Sequence, residues 1–126
     1  MSEYSFPRLE RLKSKKKISQ VFAEGKSVFR TILSVRLLKE TGIQTDAVVK
    51  VAFSVPKRKV QSAVKRNLIK RRMKEAYRLN RSMIPMDDIA NAGQFYSVVF
   101  IYQSNEIQSY VEIEKYMTKI MWKIFN

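Results

Sequence analysis

The chain has no cysteine and no histidine in its 126 residues. Their absence removes thiol nucleophiles, disulfides, imidazole general bases and Cys/His zinc sites at once. Glycine occurs three times, always isolated, so no glycine-rich loop is available to cradle phosphates. No apolar run approaches the roughly 18 to 20 residues of a membrane span, and Met1-Ser2-Glu3-Tyr4 lacks a signal peptide's apolar segment. The absence of cysteine fits a reducing compartment, so the expected location is cytoplasmic, without membrane association. Acids are also scarce: 11 Asp and Glu stand against 25 Lys and Arg, a formal charge of +14.

A hydrophobic content of 45% supports a globular fold rather than a disordered basic tail. The length suits one domain. Its charge is concentrated in residues 56–81, where Lys57, Arg58, Lys59, Lys65, Arg66, Lys70, Arg71, Arg72, Lys74, Arg78 and Arg81 face a single acid, Glu75. Periodicity predicts a helix that begins between Val60 and Ala63 and runs to about Asn80. At about 100° per residue, Arg66, Lys70, Lys74 and Arg78 align, with Asn67 and Arg71 alongside and Arg81 a turn further. Ile69, Met73, Ala76 and Tyr77 lie opposite and should pack on a sheet, with Val64, Leu68 and Leu79 widening the buried arc. Lysine-rich helical faces are usually solvated, but acids normally alternate with them. Here they do not, which favours a polyanionic partner.

The remaining elements follow in order. Residues 1–13, with Arg8, Arg11 and Lys13, read as a basic, extended N-terminal arm, and 14–126 as one domain. Ser14 can cap a helix over Lys15 to Glu24, with Gly25 as its C′ residue and Ile18, Val21 and Phe22 as its apolar stripe. Three lysines in its first turn oppose the helix dipole, a local cost that nearby phosphates would offset. Ser27 to Leu38 alternates as one half-buried strand, with Thr31, Leu33, Val35 and Leu37 on one face and Arg30, Ile32, Ser34 and Arg36 on the other. After a turn over Thr41 to Thr45, Ala47 to Val55 forms a second strand, with Val49, Val51, Phe53 and Val55 inward. Ser82 to Gly93 reads as a connection. Phe95 to Tyr102 is a strand apolar enough on both faces to sit inside a sheet. Asn105 to Asn126 reads as an amphipathic helix burying Ile107, Tyr110, Val111, Met117, Ile120, Met121 and Ile124. The acids of this last third outnumber its bases, so that end looks structural. With room for one more short strand near the first hairpin, the order predicts an α+β fold of helices on a small sheet.

Catalytic constellations are hard to assemble. Asp87 and Asp88 fall in the connection, and Glu112 and Glu114 point to different faces of a helix, so neither pair suits acid–base or two-metal work. Phosphate binding is better supported: Arg forks take phosphate oxygens in pairs, Lys acts as a movable point charge, and counterion release rewards both. The basic helix alone does not separate RNA from DNA. No helix-turn-helix pair, zipper or half-site signal argues for reading DNA.

At Arg66-Asn67-Leu68-Ile69-Lys70-Arg71 the chain resembles the protein subunit of bacterial ribonuclease P, a family with an Arg-Asn-x-x-Lys-Arg signature on its second helix. The strand end Ser54-Val55-Pro56-Lys57-Arg58 matches the family's Ser-Val-x-Lys-Lys at the usual separation. Leu12, Val21-Phe22, Gly25 and Lys74-Glu75-Ala76-Tyr77 also match, and the likeness is strong over about residues 8 to 80. It implies a ribosomal-protein-like α+β domain with a left-handed crossover, against the usual preference. It implies that the RNA subunit is the catalyst, that Mg²⁺ is bound mainly by that RNA, and that no catalytic or metal-ligating side chain comes from the protein. The task implied is removal of the 5′ leader from precursor tRNA. Lys57, Arg58, Lys65, Arg66, Asn67, Lys70, Arg71 and Lys74 become candidate RNA contacts. Ile18, Phe22, Arg36 and Ser54 become candidates for a cleft that holds the single-stranded leader. Phe22 can stack on a base; Ile18 stands where the family often has an aromatic ring and cannot. Gln61 and Ser62 are uncharged where some members are basic, and Ile101-Tyr102-Gln103 replaces a common Ala-Arg-Lys. The expected partners are ribonuclease P RNA and precursor tRNA, without DNA or membrane; the alternative is a structural RNA binder such as a ribosomal protein.

Overall fold

A computed structural model of the chain describes residues 10–43 and 46–126. Residues 1–9 of the expected arm, Arg8 included, and Gln44 and Thr45 of the expected turn lie outside them. The order is α1 (Lys15–Glu24), β1 (Lys26–Arg30), β2 (Leu33–Thr41), β3 (Val49–Ser54), α2 (Ala63–Asn80), α3 (Met86–Asn91), β4 (Gln94–Tyr102) and α4 (Tyr110–Phe125). Four strands form one sheet in the order β1-β2-β4-β3. β2 runs antiparallel to β1 and β4, and β3 runs parallel to β4. This is the expected α+β class, and α2 lies in the crossover between the parallel pair, the connection that the resemblance expects to be left-handed. β4, flanked on both sides and buried from Tyr96 to Tyr102, is the apolar central strand its composition predicts.

The sheet buries both faces unequally. Val35, Val51, Val98 and Phe100 belong to the main core with Ile69, Met73 and Tyr77 of α2 and Ile113, Met117 and Ile120 of α4. On the other face, Leu38, Val99 and Ile101 form a smaller cluster with Val21 of α1 and Leu12. Residues 10–12 are attached to the domain: the Leu12 N–H donates to the Val51 carbonyl at 2.9 Å, and Arg11 bridges Val51 in parallel fashion. This covers part of the edge of β3 that would otherwise stand open. Glu10, only 6% exposed, is held by an ion pair with Arg81.

Several elements depart from expectation. The alternation over 27–38 is a hairpin and not one strand, reversing at Thr31 and Ile32 between the paired Arg30 and Leu33. Thr31 takes a positive φ of 51° without glycine's help, so no turn residue marks the reversal. Residues 82–93 contain a helical turn at Arg81–Met83 and the short α3, where Asp87 and Asp88 occupy the first turn and suit the positive end of its dipole. α4 starts later than periodicity suggests, because Ser109 caps it by accepting from the Glu112 N–H at 3.2 Å. Its phase then buries Ile113, Met117, Ile120, Met121 and Phe125, leaving Ile107 and Val111 exposed and Tyr110 and Ile124 at the core's margin. On α2, Val64 and Leu79 also face solvent; Ile69, Met73, Ala76 and Tyr77 suffice to seat it.

Gly25 is needed for a different reason than the expected helix cap. Its φ of −74° is open to any residue, but an added Cβ would lie 2.5 Å from the Val21 oxygen and 3.0 Å from the Leu37 oxygen. Both obstacles are backbone, one in α1 and one in β2, so the glycine sets how closely the helix approaches the sheet. Gly25→Ala is expected to destabilise the fold by about 1–3 kcal/mol, as overpacking does. A urea unfolding midpoint equal to that of the parent protein would show that α1 and β2 can separate there without cost.

Candidate nucleic-acid interface

α2 carries the main cationic surface. Ser62 caps it by accepting from the Lys65 N–H at 3.3 Å, and its four buried side chains fix which face looks outward. Lys65, Asn67, Arg71 and Lys74 are exposed on the helix, with Arg66 and Lys70 half-buried beside them. The Lys74 ammonium is held below its usual pKa by partial desolvation first, then by the charges of Arg11 and Lys70. Like charges thus crowd this surface, which is the condition a polyanion relieves.

Not every base of the stretch joins that face. Arg78 closes on Glu75, with Nε donating to Oε2 at 3.1 Å, and this holds the Glu75 carboxyl below its usual pKa. Arg81 grips the buried Glu10, and Arg72 donates to the Gln108 carbonyl at 2.6 Å, tying α2 to the segment before α4. Arg78 and Arg81, aligned with the binding residues by helical spacing, therefore act within the fold. Arg66 also has internal work, since its Nη1 donates to the carbonyls of Val60 at 3.0 Å and Gln61 at 2.7 Å. It fastens the connection between β3 and α2, whose turn exposes Lys57 and Arg58.

Arg58 leads from α2 to a cleft of about 380 Å³ on the α1 face of the sheet. Phe22 of α1, Phe29 of β1, Ser34 and Arg36 of β2, Ser54 of β3 and Gln103 after β4 share its walls with Arg58. Arg36 donates from Nη1 to the Phe22 carbonyl at 3.2 Å, and its guanidinium carbon lies 5.9 Å from the Phe22 ring centroid. Phe22 and Phe29 are 40% and 57% exposed, so both rings offer a face to a partner. Among the described residues, no carboxylate lines this cleft. Exposed rings, guanidinium groups and hydroxyls without acids can bind a single-stranded, phosphate-bearing chain by stacking and charge together.

Phe22, Arg36 and Ser54 come together here as expected, whereas Ile18 packs beneath α1 with the smaller cluster and does not line the cleft. Phe29 is not among the expected cleft residues, because its place depends on the hairpin. In one continuous strand it would share the core face with Leu33 and Val35. In the hairpin it pairs opposite Ser34, which turns it to the face of Ser34 and Arg36.

A protein-family model described as Ribonuclease P matches residues 6–124. The chain is 31% identical over 123 residues to a protein of Porphyromonas gingivalis named ribonuclease P protein component, covering 96% of this chain and 87% of that one. It is 40% identical over 89 residues to the protein of that name from a Geobacter species, covering 71% and 72% of the two chains. Its fold matches the solved structure of the RNase P protein from Thermotoga maritima with a TM-score of 0.72 at 21% identity, over 93% of this chain and 99% of that one. The RNase P protein of Staphylococcus aureus matches with a TM-score of 0.68 at 22% identity, over 93% and 98%.

The double grip of Arg66 yields a test independent of any partner. Arg66→Lys keeps the charge but removes the guanidinium Nη1 that donates to both carbonyls. It is expected to lower the unfolding free energy by about 1–2 kcal/mol and to speed amide exchange between residues 57 and 61. Unchanged stability and exchange would mean that the connection is held by its own turn alone.

Proposed function

Because this chain belongs to the ribonuclease P protein family, and so is the protein subunit of an RNA-based endoribonuclease whose partner is ribonuclease P RNA, we propose how its surfaces divide the work. The exposed face of α2, with Lys65, Arg66, Asn67, Lys70, Arg71 and Lys74, binds the catalytic RNA. The cleft of Phe22, Arg36 and Ser54, enlarged by Phe29, receives the 5′ leader of precursor tRNA. Lys57 and Arg58 lie on the turn between them, where both RNAs approach. The observation that carries this reading is a cleft with two exposed rings and, among the described residues, no acid, reached from the basic helix through Arg58.

The chemistry follows from what the side chains can do. Lysines and arginines on α2 displace counterions from RNA phosphates and lower the repulsion between two polyanions brought side by side. Phe22, held by the Arg36 hydrogen bond to its carbonyl, offers a stacking surface, and Arg36 and Arg58 neutralise phosphates next to the stacked base. Binding of the leader adds affinity for the precursor that the mature product lacks, and it orients the scissile phosphate towards the RNA's reacting groups. Among the described residues, no three carboxylate, cysteine or histidine groups gather in a way that would hold a metal ion. We assign Mg²⁺ to the RNA, where it would supply the metal-assisted hydrolysis, and no catalytic step to a protein side chain. No helix of the described residues is long and apolar enough to cross a membrane, and the cytoplasm is the proposed site of action.

Added to a bacterial ribonuclease P RNA at low Mg²⁺, the protein should restore cleavage of precursor tRNA. Failure to stimulate, with the protein folded and bound, would count against the reading. Arg66→Ala is expected to weaken catalytic-RNA binding by roughly tenfold, the scale of a single charge-assisted hydrogen bond. Phe22→Ala should reduce the preference for precursor over mature tRNA by roughly 5- to 100-fold, the range for removing one stacking ring. Equal reductions for precursor and mature tRNA in a folded Phe22 variant would remove the cleft from the leader's path.

A further inference from the structure

One row of facing residues in the cleft of Phe22 and Arg36 crosses all four strands of the sheet. Phe29 of β1 pairs with Ser34 of β2, Ser34 with Ile101 of β4, and Ile101 with Ser54 of β3. All four line the cleft. At about 4.8 Å between neighbouring strands, the row runs roughly 14 Å from Ser54 to Phe29. A stacked nucleic-acid strand advances about 3.4 Å per nucleotide, so the row accommodates more than one. Its two ends differ. Ser54 and Arg58 stand at the inner end, on the chain that leads into α2, whereas Phe29 stands at the outer end, on a strand paired on one side only. Phe22 of α1 lies between these ends, beside Arg36 of β2.

The fold makes little use of the Phe29 ring. Val28 beside it packs against the main core, whereas Phe29 belongs to neither hydrophobic cluster and is 57% exposed. An apolar ring left open on an edge strand invites unwanted pairing, so a partner that covers it removes a liability. Ser34 and Ser54 are short, which leaves space above the row, and Phe29 closes that space with an aromatic face on which a base can stack. We propose that Phe29 is the outer stacking residue of the leader path, taking a leader base farther from the cleavage site than the one at Phe22, and so makes precursor binding depend on leader length. This inference rests on the assignment of the cleft to the leader and of α2 to the catalytic RNA, which together put the cleavage site at the inner end.

Phe29→Ala tests it in the assembled complex, with precursor tRNAs whose leaders lengthen one nucleotide at a time. With leaders long enough to cross the row, affinity should fall roughly 5- to 100-fold from that of the parent complex, the range for one stacked base. With a one-nucleotide leader it should not change. Phe29→Trp keeps a ring and should retain the parent's dependence on leader length. Unchanged affinity at every length in the alanine variant would overturn the proposal, and so would an equal loss at every length. Because the chain has no cysteine, Ser27→Cys and Ser54→Cys each provide a single attachment point for a radical-generating iron chelate, at the outer and inner ends, with Phe29 intact. Leader breaks from Ser27→Cys that lie farther from the cleavage site than those from Ser54→Cys would support the path; coincident or reversed breaks would overturn it. Phe22→Ala separates the two levels of inference. If it lowers the preference for precursor while Phe29→Ala does not, the outer position alone fails. If neither does, the assignment of the cleft to the leader fails with it.

Discussion

The structure depends on seating α2 against the sheet despite its charge. Close-set ammonium and guanidinium groups repel one another, and the lowered Lys74 pKa records part of that repulsion. Ile69, Met73, Ala76 and Tyr77 oppose it by entering the main core completely. Side chains of the larger kind contribute about 1.5–3 kcal/mol each when fully buried. Tyr77 meets Phe53 edge-on at 5.9 Å between centroids, and Phe53 stacks on Phe100 at 5.7 Å. These aromatic rings join α2 to β3 and to the central strand β4. The helix is thereby fixed in rotation, so its cations form a surface of defined shape.

Within that frame the basic residues divide by their neighbours. Arg72, Arg78 and Arg81 have internal acceptors, and Arg81 ties α2 to the chain segment in front of α1 through Glu10. Arg66 belongs to both groups, because the carbonyls it binds belong to the connection that presents Lys57 and Arg58. Under the proposed assignment of α2 to the catalytic RNA, Arg66 would couple fold and RNA binding, since its guanidinium also holds the Val60 and Gln61 carbonyls.

The α1 face of the sheet shows a similar economy. Gly25 lets α1 lie close to β2, and the helix then covers the middle of the face while its ends leave a cleft on either side. Among the described residues the first has aromatic walls and no carboxylate; the second holds the ion pairs of Lys17 with Glu40 and Lys50 with Asp46.

Much of this could be read directly from residues. Local patterns delimit α1, β4 and α2, because each combines a cap or a breaker with a period that neighbours do not disturb. The Arg66-Asn67 and Lys70-Arg71 pairs, with Ser54-Val55 before them, point to the family, which the relatives then establish. The hairpin at Thr31 was not legible, since its alternation runs on through a reversal that uses neither glycine nor proline. The phase of α4 depends on Ser109 as its cap, and the Tyr102 hydroxyl, which accepts from the Gln108 N–H at 2.9 Å, anchors the segment before it. The sequence by itself determined that one helix would carry the charge and that Ile69, Met73, Ala76 and Tyr77 would seat it, but not that Val64 and Leu79 would face solvent. Only the tertiary structure decided which cations remain for RNA and which rings line the cleft. Ion pairs such as Glu10 with Arg81, and face assignments such as Phe29 opposite Ser34, join residues distant along the chain or on opposite sides of a reversal, where no local period reaches.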